Sequence, residues 1–193
     1  MKKIVCLLLM FWVGSVSAIP ITIDFDDLGS GVVVGDHYAD LGVTFANAVT
    51  NSYGTLPGGS DPTSISHTGL GYQPTPANPI EAFFSSTIDT VSLTGVDVGG
   101  NGFMLSAFAA DNTLLATDEV FGTGAGVGEF FTLSLFAQGI SYIQFSQVTT
   151  GYGDGVVFDN LVFDTVSVAE PSSILLLCIG LISLGITRRK LQH

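Results

Sequence analysis

The sequence predicts an all-β domain built as a two-sheet antiparallel sandwich, set between an N-terminal signal helix and a C-terminal transmembrane helix. Three observations predict it. Short apolar or alternating runs recur roughly every dozen residues through the middle of the chain, the rhythm of strands in a sandwich. The joints between them are Gly, Asn, Asp, Ser and Pro, the residues that make turns. Only the two ends of the chain carry apolar runs long enough to read as helices.

Taken in order, Ile21 to Asp26 alternates Ile21, Ile23 and Phe25 with Thr22, Asp24 and Asp26, which reads as a first strand with one buried face. A glycine-rich bend from Gly29 to Gly35 follows, and Asp36 to Phe45 reads as a tight turn feeding a strand that runs to about Val49. Residues Asn51 to Pro79 are rich in Gly, Ser, Thr and Pro and read as a long surface excursion with a short strand at Thr63 to His67. Seven strands are then expected at Ile80 to Ser85, Thr90 to Val98, Gly102 to Ala110, Leu114 to Val120, Phe130 to Phe136, Ile140 to Val148 and Val156 to Asp164. Phe-rich interiors such as Phe103, Leu105, Phe131, Leu133 and Phe145 supply a core for two facing sheets, of the jelly-roll or lectin-like kind.

The ends read as addresses. Residues 1–18 join Lys2 and Lys3 to an apolar centre and finish Val16-Ser17-Ala18, a secretory signal peptide cut after Ala18. Residues 168–193 set Glu170-Pro171-Ser172 before an apolar run and close on Arg188, Arg189 and Lys190. A helix from Ser172 to Thr187 would be about 24 Å long, somewhat short of a hydrocarbon core, and the basic stop directs the C-terminus to the cytoplasm. This order of Glu-Pro-Ser, apolar helix and Arg-rich end resembles the PEP-CTERM sorting signal of Gram-negative envelope proteins, with Ala169 where the first proline of that motif stands. The resemblance implies an exosortase-type processing enzyme as partner and the inner membrane as a stage in transit. It further implies a final place in the cell envelope or biofilm matrix, with exopolysaccharide as neighbour. An unprocessed single-span anchor is the alternative.

Subtracting both ends changes the chemistry of what is left. Cys6, Cys178, Trp12 and all five Lys and Arg fall in the end segments, and Glu170 is the only one of the 17 acids outside residues 19–167. The exported domain therefore folds without disulfides and carries a formal charge of about −16. Nucleic acid is excluded as a partner, because neutralising phosphates requires Lys and Arg.

The densest polar feature is Asp24-Phe25-Asp26-Asp27. If the first and last strands adjoin, Asp26 and Asp27 meet Asp159 or Asp164, and such carboxylates would suit Ca²⁺, a hard cation taking oxygen ligands. The other reading is that these acids face solvent and that Asp159 and Asn160 shape a turn. Asp36, His37 and His67 lack the paired spacing and cysteines of a zinc site. Glu81, Glu119 and Glu129 are the glutamates available to a glycosidase, and no Gly-x-Ser-x-Gly elbow is present. Tyr53, Tyr72 and Tyr152 are loop aromatics suited to stacking on a sugar ring, with Asn51, Asp61 and Asn78 as polar neighbours, or to pinning the loops.

The strand layout, with an acid-ended first strand, Tyr38-Ala39-Asp40-Leu41-Gly42-Val43-Thr44-Phe45 and a last strand Val157 to Phe163, resembles the jelly-roll modules of secreted bacterial proteins. The resulting expectation is a non-catalytic, glycan-associated adhesion protein of the envelope. Its rivals are a glycan-acting hydrolase and a calcium-stiffened spacer.

Overall fold

The computed structural model describes residues 19–52, 63–67, 73–125, 129–151 and 155–165. The signal segment, the sorting tail and the loop tyrosines lie outside them. Among the described residues no helix is long and apolar enough to cross a membrane. Nine strands form among the described residues, β1 (Pro20–Ile23), β2 (Val43–Ala46), β3 (Val49–Ser52), β4 (Thr63–His67), β5 (Ile80–Val96), β6 (Phe103–Phe108), β7 (Leu114–Val120), β8 (Phe130–Ser146) and β9 (Val157–Thr165).

Every pairing between them is antiparallel, and all nine belong to one hydrogen-bonded network in which β5 and β8 each run 17 residues. The expected break between Ser85 and Thr90 is a bend inside β5, and the one between Phe136 and Ile140 is a bend inside β8. Before its bend β5 lies between β2 and β8; after it, between β9 and β8. The second half of β8 also carries β6, and β6 carries β7. One layer is thus β2-β5-β8-β6-β7 and the other β3-β4-β9-β5-β8, with β1 also on β9; the long strands turn the corner between them, as bends and bulges allow.

The register shifts in β5 at the corner, from Phe83 to Ile88 and again to Thr90. That slip moves the buried face from Ile80 and Ala82 to Val91, Leu93 and Gly95. Gly139, at φ 82, makes the matching turn in β8, and its N–H donates to the Asp89 carboxylate at 3.0 Å.

The layers meet through aromatic rings. Phe158 of β9 packs edge-on against Phe145 of β8 at 4.9 Å and Phe103 of β6 at 5.3 Å, and Phe84 meets Phe163 at 5.0 Å. Phe103, Phe145 and Phe158 are essentially fully buried. The whole buried cluster, from Ile23 to Phe163, lies within residues 19–166, which form a compact unit with a core of its own.

β1 is shorter than the alternation suggests because Phe25 takes φ 61, an unusual conformation for a bulky residue, and turns the chain into Asp26 and Asp27. The Phe25 ring is fully buried and contacts Tyr38 and Phe45, each at 5.7 Å. Tyr38 stands at the start of a short 3-10 turn at Ala39–Leu41 and donates its hydroxyl to Asp27 Oδ1 at 2.5 Å. Asn47, at φ 57, likewise ends β2 two residues before Val49, so β3 is a separate strand.

Two outcomes follow. Gly95 faces the core opposite Phe158 and Phe131, and a methyl there would lie 2.6 Å from Phe103 Cδ1 and 2.9 Å from Val98 Cγ2. Gly95→Ala is expected to destabilise the domain by about 1–3 kcal/mol through overpacking; an unchanged thermal midpoint would show that the ring yields freely. The Tyr38 hydroxyl, then His37, holds the Asp27 carboxyl below the ordinary carboxylate range. A depressed acid stabilises the fold above its unfolded pKa and loses that contribution as pH falls through its folded value. Tyr38→Phe should therefore cost about 1 kcal/mol at neutral pH, and the gap in urea midpoints between the two proteins should narrow in acid. A gap that is constant down to strong acid would assign the cost to packing.

Candidate functional site

The expected meeting of the first and last strands occurs: β1 pairs with β9, Pro20 opposite Asp164 and Ile23 opposite Leu161. The carboxylates near it are nonetheless dispersed among different tasks. Asp27 accepts from Tyr38 and lies 3.0 Å from His37 Nε2, with its side chain about half exposed. Asp159 is fully buried and its Oδ1 accepts from the Asn160 N–H at 2.7 Å. Asp24 Oδ1 takes the Asp26 N–H at 3.3 Å. Among the described residues no three His, Cys, Asp or Glu side chains gather in a group that could hold a metal ion, Asp26, Asp27 and Asp159 included. The reason is local: Phe25 turns the chain after β1 toward Tyr38, while Asp159 points into packed structure. Tyr53, Tyr72 and Tyr152 lie outside the described residues, as do Ala18, Glu170, Pro171, Arg188, Arg189 and Lys190.

Glu81 and Glu119 are also apart. Glu81 accepts from Gln144 Nε2 at 2.8 Å, and Glu129 braces a loop by accepting the N–H and hydroxyl of Thr123. Glu119 lies on β7, with β6 and β8 between it and Glu81 on β5. Three strand spacings put them about 14 Å apart along the sheet, wider than the roughly 5–9.5 Å of paired glycosidase carboxylates.

Two surface features remain, both on outward faces of the long strands. On the first layer Phe83, Tyr142 and Phe108 stand in one row across β5, β8 and β6, with ring centroids 5.4 and 4.9 Å apart and nearly parallel planes. Their faces are spent on one another, so this ladder offers edges rather than a platform. Tyr142 donates its hydroxyl to Asn112 Oδ1 at 3.1 Å, and burial, then the Glu81 charge, raises its phenol above the ordinary value.

On the second layer an open groove of about 350 Å³ crosses β1, β9, β5 and β8. Its first row is Pro20, Asp164, Thr90 and Phe136; its second is Val162, Ser92 and Ser134. The Thr90 hydroxyl donates to Asp164 Oδ2 at 2.7 Å, which orients the carboxylate. The floor is hydroxyl-bearing because these are the outward positions, while Val91, Leu93, Leu133, Leu135 and Phe163 between them enter the core. Phe136 breaks that polar face and is 76% exposed, so an aromatic wall stands beside hydroxyls and one carboxylate. Sequence reasoning placed Phe136 only as a strand end. The signal was its outward phase: Phe136 shares one exposed face of β8 with Phe130, Thr132 and Ser134.

No protein-family model matches the chain, and no curated protein sequence matches it. Solved structures do. The K2 cleaved adhesin domain of Lys-gingipain is 12% identical, with 76% of this chain and 100% of that one covered at a TM-score of 0.50. The K3 cleaved adhesin domain of Lys-gingipain from Porphyromonas gingivalis w83 is 12% identical over 77% of this chain and 99% of that one, at 0.45. CsCBM6-3 from Clostridium stercorarium, solved in complex with cellobiose, is 16% identical over 76% and 94%, at 0.39. The K2 likeness shows the fold and nothing beyond it: the chain is an antiparallel β-sandwich similar to that adhesin domain.

Proposed function

We propose that residues 19–167 form a non-catalytic glycan-associated adhesion domain, exported by the signal peptide and sorted to the envelope by the C-terminal segment. The groove carries the first half of this reading. Sugar recognition needs an apolar surface for the ring face and hydroxyl or carboxylate partners for the sugar hydroxyls. Phe136, Ser92, Ser134, Thr90 and Asp164 bring both together on rigid strands. A solvent-facing Phe forfeits the roughly 1.5–3 kcal/mol that burial would return, and contact with a ligand restores part of it. The K2 domain that shares this fold is named an adhesin domain, which supports the adhesion part of the reading. The sorting half rests on Glu170, Pro171 and the Arg188 to Lys190 stop.

Titration of residues 19–167 against neutral β-linked oligosaccharides should show weak saturable binding, reduced at least about tenfold, or 1.4 kcal/mol, by Phe136→Ala. Because the ring is exposed, that variant should melt close to the parent. Binding unaffected by the substitution would remove the groove from consideration. Sorting is checked by intact mass: protein recovered from a host with an exosortase-type enzyme should begin at Ile19 and lack Arg188 to Lys190. A membrane-bound chain that keeps its tail would identify a plain anchor instead.

A further inference from the structure

We propose that the groove selects glycans bearing free amino groups, such as de-N-acetylated hexosamine chains, with Asp164 as the anionic anchor for the ammonium. The inference rests on the glycan reading of this groove and names its ligand class. Among the described residues Asp164 is the one ionisable side chain lining the groove. The Thr90 hydroxyl fixes its Oδ2 at 2.7 Å, so the carboxylate is held in place before a ligand arrives.

The rest of the domain pushes in the same direction. Residues 19–167 contain no Lys or Arg, and their formal charge is about −16. No side chain apart from a protonated histidine can compensate a uronate, sulfate or phosphate group brought to this surface. Apart from the α-ammonium of Ile19, which cleavage after Ala18 frees beside Pro20, an anionic polymer meets only repulsion within the screening distance of about 8 Å at physiological salt, whereas a cationic one gains from both Asp164 and the surrounding field. The shallow, open shape suits a polymer passing across the strands. Phe136 provides a wall for a pyranose ring, and Ser92 and Ser134 provide hydroxyls for its oxygens. A neutral sugar can donate its hydroxyls to the carboxylate; only an amino sugar also brings it a positive charge.

The experiment compares a chitosan hexamer with its fully N-acetylated counterpart and with polygalacturonate, by calorimetry on residues 19–167, whose core is self-contained. The amino form should bind at least about tenfold more tightly than the acetylated form at low salt. That advantage should vanish in Asp164→Asn, so that the variant binds the two hexamers with affinities within about twofold of one another. Salt should erode the amino preference and leave the acetylated binding nearly unchanged, which tests the carboxylate without any variant. Equal affinity for the two hexamers, or measurable binding of polygalacturonate, would overturn the selectivity and leave the glycan groove standing. No binding of either hexamer would remove the groove reading itself, and the selectivity with it.

Discussion

The antiparallel ladder between β5 and β8 is the constraint on which the remaining structure depends. Each strand runs 17 residues, and each is bent so that one pairing serves both layers. β2 and β9 attach to successive halves of β5, and β6 attaches to the second half of β8, so the layers are joined by hydrogen bonds as well as by side chains. The cost is topological: residues near 80–96 must find residues near 130–146 before either layer exists, a closure that local contacts do not assist. The bends are therefore specified closely. The register shift between Phe83 and Ile88 and the Gly139 turn held by Asp89 fall at corresponding points of the two strands.

Stability in a domain with sixteen acids and no Lys or Arg has to come from packing and from hydrogen bonds to neutral donors. The carboxylates are used accordingly. Asp27 accepts from Tyr38, Asp89 from the Gly139 N–H, Asp111 from the Thr113 N–H, Glu81 from Gln144 and Glu129 from Thr123. The Tyr38 hydroxyl at Asp27, and the Thr113 side chain and then its N–H at Asp111, favour the ionised form, so these two carboxyls lie below the ordinary range. None of these arrangements cancels charge. The acids work as local clamps on turns and strand ends, and the field they generate remains on the surface for ligands to meet.

How much of this was legible in the sequence depends on what kind of signal each part leaves. Strand existence was legible, because alternation such as Ile21-Ile23-Phe25 or Phe103-Leu105-Ala107 is written directly in residue type. Strand continuity was not: Ser85-Ser86-Thr87 and Ala137-Gln138-Gly139 have the composition of turns, and only the pairing partner shows that the backbone bends there rather than reversing. The adjacency of the first and last strands was anticipated, yet the acids did not gather, because the positive φ of Phe25 redirects the chain just past Ile23. The groove was the hardest part to see, since Phe136 resembles any core phenylalanine until the register places it in a row with Thr90 and Asp164.

The position of that row would let the proposed recognition surface sit on strands rather than on loops. A loop site must order its backbone when a ligand binds, at a cost that weak sugar contacts seldom cover. Thr90, Ser92, Ser134 and Phe136 belong to the β5–β8 ladder, whose alternate residues are locked into the core as Val91, Leu93, Leu133 and Leu135. Asp164 and Val162 are fixed in the same way by Leu161 and Phe163. The groove is rigid because its underside is the hydrophobic core. The pairing that lets two layers form from one network therefore also sets an aromatic wall, a hydroxyl floor and a carboxylate at fixed spacing before any ligand is present.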